Sequence, residues 1–145
     1  MSETWAAEVR GCWFAQPSER WWKRDPELDA EIRERFLDLW EEQRKRVPES
    51  FLASSDEAIG AVILFDQFPR NMFRGAAEQF ATDPLALAIA KAALDRGLDG
   101  HMSKDERTFL LMPFQHSENM DDQQRSLLLF GELGDPELLR YARLH

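Results

Sequence analysis

The sequence predicts an all-α fold, a single domain of about eight helices arranged as stacked helix pairs or an irregular bundle. Three observations carry this. Apolar residues recur at helical spacing along the chain, helix-start signals recur along it, and no run alternates with period two for long enough to make a strand. A length of 145 residues fits one domain, 1–145, with room for a core that needs no disulfide or metal staple.

A first helix is placed at 4–13. The second, over 26–46, is the clearest. Asp25 stands as a capping carboxylate, Pro26 takes the first helical position, and Glu27 and Asp29 fall in the positive first turn. Ile32, Phe36, Leu39 and Trp40 then form one apolar stripe, and Arg44, Lys45 and Arg46 close the helix at its negative end. The stretch from Val47 to Ser54 reads as a loop between helices. Ser54 and Glu57 form a capping box for a helix over 55–68. In isolation Ala61-Val62-Ile63-Leu64-Phe65 resembles a strand, but the capping box and the preceding Ala58 and Ile59 favour a buried helix. Pro69 then predicts a break, with a new helix over 70–80. Thr82-Asp83-Pro84 opens a helix over 84–96, and Gly97 and Gly100 lie where it should stop. Ser103 and Glu106 cap a helix over 104–111, which Pro113 should close. Ser117 is the expected N-cap of a helix over 118–131, and Asp135-Pro136 starts the last, over 136–143.

Composition narrows the function classes. Against 18 basic residues there are 27 acidic ones, a net charge of −9, which disfavours non-specific nucleic-acid binding because phosphates are repelled on average. No apolar run approaches a membrane span and no secretory leader is visible, so a cytoplasmic protein without membrane contact is expected. Cys12 is the only cysteine. It excludes an internal disulfide framework and a multi-cysteine zinc site, and its neighbours Trp13 and Phe14 suggest a buried, inert thiol. No Gly-rich phosphate loop, nucleophile elbow or His-Glu-x-x-His helix is present, so no cofactor and no metal are expected.

Two polar clusters interrupt the apolar pattern. The first is Asp66-Gln67-Phe68-Pro69-Arg70-Asn71-Met72-Phe73-Arg74. If a helix starts at Pro69, Arg70, Asn71 and Arg74 occupy its opening turns, where cations oppose the dipole and an anion should compensate. Free backbone N–H groups and two guanidiniums would then form a carboxylate or phosphate receptor. In the purely structural reading, Asp66 is the anion and pairs with Arg70 or Arg74. The second cluster is Gln115-His116-Ser117-Glu118, followed by Asp121, Asp122 and Gln123. Beside the positive end of the next helix, His116 should stay neutral near pH 7 and is a candidate general base. Against that stands an ordinary capping or core histidine. Trp13, Phe14, Trp21 and Trp22 can line a pocket but more often belong to a core.

Leu64 to Gly75, Phe80 to Leu87 and Phe109 to Glu118 resemble the core motifs of the bacterial domain of unknown function 924. Trp21-Trp22-Lys23-Arg24-Asp25, Gln123 to Phe130 and Tyr141-Ala142-Arg143 fit its flanks. The resemblance covers nearly the whole chain. It implies an all-helical, tetratricopeptide-repeat-like fold with no established biochemical role. It also implies that Asp66, Gln67, Arg70, Asn71, Arg74, His116, Ser117, Glu118 and Gln123, which match the most distinctive motifs, are functional. Members usually continue past the position of His145, so by this resemblance the chain lacks the family's C-terminal tail. Gly11-Cys12-Trp13-Phe14-Ala15 also stands where the family tends to have a Phe-Trp-Phe-Gly type of segment.

Three functions follow as expectations. The first is a binding protein whose Arg70, Asn71 and Arg74, with Gln67, Ser117 and Gln123, hold an anionic small molecule or a peptide carboxylate. The second is a small hydrolase or lyase with His116 as general base, aided by Glu118 or Asp66. The third is an interaction module or homodimer that pairs through Leu138, Leu139 and Leu144.

Overall fold

The computed structural model describes residues 4–133, and among these residues the structure is helical with no strand. In chain order the helices are α1 (Thr4–Phe14), α2 (Ser18–Trp22), α3 (Pro26–Gln43), α4 (Ser55–Val62), α5 (Phe68–Met72), α6 (Asp83–Asp95), α7 (Lys104–His116) and α8 (Met120–Leu133). A π-helical turn, Ile63–Gln67, joins α4 to α5, and 3-10 turns cover Pro48–Phe51, Ala77–Phe80 and Leu98–His101. None of the described helices is long and apolar enough to cross a membrane.

The start signals act as their chemistry requires. The Asp25 side chain accepts the Leu28 backbone N–H with Pro26 in the first turn, and α3 buries Leu28, Ile32, Phe36 and Trp40 along one face. Ser103 and Glu106 close a complete capping box on α7, whereas the box expected at α4 is half made: Ser54 accepts from the Glu57 backbone, but the Glu57 carboxylate turns to Arg46 at 3.3 Å. Gly97, at φ 72°, supplies the left-handed residue just after α6.

The helix α4 lies at the centre, packed against α1, α6 and α7, while α3 packs on α5 and α7 on α8. It is buried on every side from Glu57 through Val62, which is why its sequence lacks a clean polar face. Gly60 lets α1 approach. A Cβ there would stand 2.8 Å from the Ala6 Cβ and 3.0 Å from its Cα. Around this crossing Trp13, Phe36, Trp40, Phe51, Phe65, Phe68, Phe109, Phe114 and Phe130 fill the core.

Pro69 does not break the chain into two helices. Regular α geometry would have residue 69 donate to the Phe65 carbonyl, and proline has no N–H to give. The chain instead widens into the π turn, in which the Phe68 N–H reaches the Ile63 carbonyl, and enters α5 without a gap. The Phe65 carbonyl accepts from the Thr82 hydroxyl at 2.7 Å, and the Thr82 oxygen accepts from Trp40 Nε1 at 3.1 Å. All three groups are buried. Thr82 stands at the N-cap of α6 but makes no capping bond, because its hydroxyl serves this relay.

Other boundaries differ from expectation for related reasons. The expected helix over 70–80 is short, ending at Met72 and followed by a separate 3-10 turn. Pro113 does not close α7, which runs on to His116 with Leu110 to Gln115 buried around the proline. Losing one backbone bond costs about 3 kcal/mol. Burying each large apolar side chain returns about 1.5–3 kcal/mol, so packing carries the helix through. The short helix α2 and the turn that buries Phe51 were not anticipated. The expected helix over 136–143 lies outside the described residues, as do Leu138, Leu139 and Leu144.

Two substitutions test this packing. Gly60→Ala should destabilise the fold by about 1–3 kcal/mol in urea titrations, because its methyl meets the backbone of α1 and not a flexible side-chain end. Thr82→Val keeps the shape but strands the Trp40 N–H and the Phe65 carbonyl. It should cost about 2 kcal/mol, read from Trp fluorescence during denaturation.

Candidate functional site

Asp66 lies in the π turn with no solvent exposure, a carboxylate that must be satisfied from within. His116 Nδ1 lies 2.8 Å from its Oδ1, and Gln67 Nε2 donates to its Oδ2 at 2.7 Å. Arg70 Nη1 lies 3.6 Å from Oδ1 and donates to the Asp66 backbone oxygen at 2.5 Å. Burial alone would raise the Asp66 pKa. The charge and hydrogen bond of His116, the charge of Arg70 and the Gln67 amide outweigh it and hold Asp66 below the usual aspartate range. An ionised carboxylate only accepts, so the His116 Nδ1 carries the proton and Nε2 is left to the other side of the ring. Among the described residues no hydrogen bond engages Nε2.

Asp66 is thus one anion of the cluster but not the main partner of the arginines. Arg70 grips Asp83 with both terminal nitrogens, at 2.8 and 3.0 Å. Arg74 grips Asp29 through Nε at 2.8 Å and Nη2 at 3.1 Å, and Asn71 donates to the same carboxylate at 2.8 Å. These forks tie α5 to α6 and to α3. Both arginines keep a water-facing side, their side chains 22% and 35% exposed.

The expected helix start at Pro69 is corrected by the π turn: the chain arrives already helical, so no free set of backbone N–H groups waits there. Arg70 instead falls in the last turn of α5, where a cation suits the dipole. The placement of His116 is corrected likewise. It is the last residue of α7, at the negative end of that helix. Ser117 does not cap α8. Its hydroxyl donates to Asp122 at 2.8 Å and accepts the Asn119 N–H, while the Asn119 side chain accepts from the backbone of Asp121 and Asp122. Lys91 pairs with Asp122 at 2.9 Å. Gln123 donates to the Ser117 carbonyl at 2.7 Å and so fixes the α7–α8 turn. Glu118 is exposed.

Two cavities flank the cluster, and Arg70 and His116 line both. The larger, about 510 Å³, has Phe80, Pro84, Leu87 and Pro113 in its wall, with Asp83, Ser117 and Glu118. The smaller, about 230 Å³, is basic. Arg20, Lys23, Arg24 and Arg74 border it with Gln67 and Asn71, and the indoles of Trp13, Trp21 and Trp22 supply apolar surface. Among the described residues no carboxylate lines it. Arg20 is held by Asp25 at 2.8 Å, whereas Lys23 and Arg24 are exposed and have no acidic partner among the described residues. Sequence reasoning treated the tryptophans chiefly as core and did not single out Lys23 or Arg24. The available signal was the Trp-Trp-Lys-Arg string itself, two flat rings beside two cations. Asp66, Gln67, Arg70, Asn71, Arg74, His116, Ser117 and Glu118 do come together around the two cavities, and Gln123 stands behind them. Among the described residues no three His, Cys, Asp or Glu side chains converge as a metal site would require.

Because the folded pKa of Asp66 is depressed, its contribution to stability is present above the ordinary aspartate value of 3.8 and lost as pH falls through the lower folded value. Asp66→Asn should therefore cost about 3 kcal/mol at pH 7. The gap from wild type should close in denaturant titrations carried below pH 3.8.

The family described as bacterial protein of unknown function (DUF924) matches residues 9–145. A solved structure of a protein of unknown function from Agrobacterium tumefaciens is 34% identical, with a TM-score of 0.94, and the match covers all of this chain and 82% of that one. No curated protein matches.

Proposed function

Since this chain belongs to the DUF924 family of bacterial proteins, a description that assigns no activity, we propose from its geometry that it binds an anionic small molecule or a peptide carboxylate in the basic cavity. One observation carries the reading. A protein of net charge −9 gathers five basic side chains, two carboxamides and three indoles around one cavity, and among the described residues no carboxylate lines it. Chance placement in an acidic chain would bring acids there too. Lys23 and Arg24, with no acidic partner among the described residues, provide positive charge, and the outward side of Arg74 adds donors whose geometry Asp29 already fixes. Trp13 adds a buried indole N–H without a partner among the described residues.

Inorganic phosphate and succinate are suitable probes, followed through the Trp21 and Trp22 indole signals by NMR. Both should shift these signals in a saturable way, and raising the salt should weaken the effect. Lys23→Ala and Arg24→Ala disturb no described ion pair and should each lower affinity by about fivefold or more. Equal titrations for wild type and both variants would remove the proposal.

The Asp66–His116 contact favours a second reading, hydrolysis with His116 as general base. Asp66 would orient the ring and Arg70 would stabilise developing negative charge, the arrangement that base catalysis needs. Glu118 borders the larger cavity and is the further acid within reach of such a reaction. Turnover of 4-nitrophenyl phosphate or 4-nitrophenyl acetate should fall by about 10²–10⁴-fold in His116→Gln. Turnover that survives this substitution would exclude the reading.

A further inference from the structure

We propose that the ligand is an amphiphilic organophosphate or carboxylate. Its anionic end occupies the basic cavity and its uncharged ring or acyl end occupies the larger cavity, the two ends joined beside Arg70 and His116, which line both. This rests on the anion-binding reading above and extends it from a charge to a class of molecule.

The two cavities differ in chemistry as the two ends of such a molecule differ. The larger one, at about 510 Å³, falls within the roughly 300–1,000 Å³ range of small-molecule sites. Its apolar wall is made by Phe80, Pro84, Leu87 and Pro113. Phe80 is 53% exposed, an apolar ring left at the cavity edge. Asp83 and Glu118 border the same space, so a second anion is disfavoured there while a neutral apolar group is not. The basic cavity has the opposite preference. Arg70 and His116 belong to both linings, so a molecule spanning the two passes directly beside them. The Asp83 fork holds the Arg70 guanidinium at this boundary, and Arg70 also lies 5.4 Å from the centre of the Phe80 ring. Neither cavity alone accounts for both linings; a molecule with one charged and one greasy end does.

The probes are inorganic phosphate and 1-naphthyl phosphate, titrated against the whole protein by calorimetry, with the Trp21 and Trp22 indole signals reporting where the phosphate sits. Naphthyl phosphate should bind at least about tenfold tighter than inorganic phosphate. Phe80→Ala and Leu87→Asn should remove most of that advantage, and Leu87→Asn, which does not touch Arg70, should leave phosphate binding unchanged, with thermal melts confirming that both variants fold. Phosphate that binds while naphthyl phosphate gains nothing overturns this inference and leaves the anion-binding reading standing. The same holds if Trp22→Ala abolishes the gain while Phe80→Ala and Leu87→Asn do not, because the ring then stacks inside the basic cavity. If neither probe moves the indole signals, both ideas fall together.

Discussion

The Asp66 carboxylate is held where water cannot reach it, and the polar half of the molecule is arranged around that fact. A buried charge persists only if neighbours neutralise it and fill its lone pairs. His116 from the end of α7, Arg70 from α5 and the adjacent Gln67 do so. Meeting that demand brings the ends of two helices together, and it turns the imidazole so that one nitrogen is committed inward. Arg70 then reaches past Asp66 to Asp83, and Arg74 and Asn71 reach Asp29, so α3, α5 and α6 are joined through charged forks at the rim of the apolar core. The same contacts that hold the scaffold leave Arg70 and His116 between two cavities of unlike character. Structure and candidate function therefore share atoms, and substitutions in this cluster will disturb both.

Around this cluster the backbone is irregular. The π turn keeps the chain helical across Pro69, and the Thr82 hydroxyl, itself held by Trp40, satisfies the carbonyl that the proline leaves unpaired. The relay is buried and meets the chain at Phe65, next to Asp66. Wide turns of this kind are often found at functional sites, where they place a side chain that regular spacing would direct elsewhere.

Much of this was legible in the sequence because it rests on local rules. Asp25-Pro26, Ser54 with Glu57 and Ser103 with Glu106 each mark a helix start through a few neighbouring atoms, and a helix starts at all three, although Arg46 draws the Glu57 carboxylate away from its box. The string from Asp66 to Arg74 stood out because so many hydrogen-bonding groups interrupt an apolar run. What the sequence did not disclose depends on distant partners. No local rule pairs Arg70 with Asp83 or Arg74 with Asp29. Nor does one predict that packing against α4 carries α7 through Pro113 and sets His116 at a helix end of opposite sign. Lys23 and Arg24 stood only in a segment that fits the flanks of the family resemblance. Only the folded chain shows that α2 and the turn after it bring them to the same cavity as residues nearly fifty positions away.

The wide turn at Ile63–Gln67 makes chain length part of the recognition geometry. Deleting a single residue there would let the ladder close in plain α register. The helices on either side could keep their places, because a π turn carries one residue more than an α turn. The side chains inside the turn could not, and Asp66 would swing off His116 without being altered. In this fold a one-residue gap in that turn therefore marks a changed site even where every polar side chain is retained.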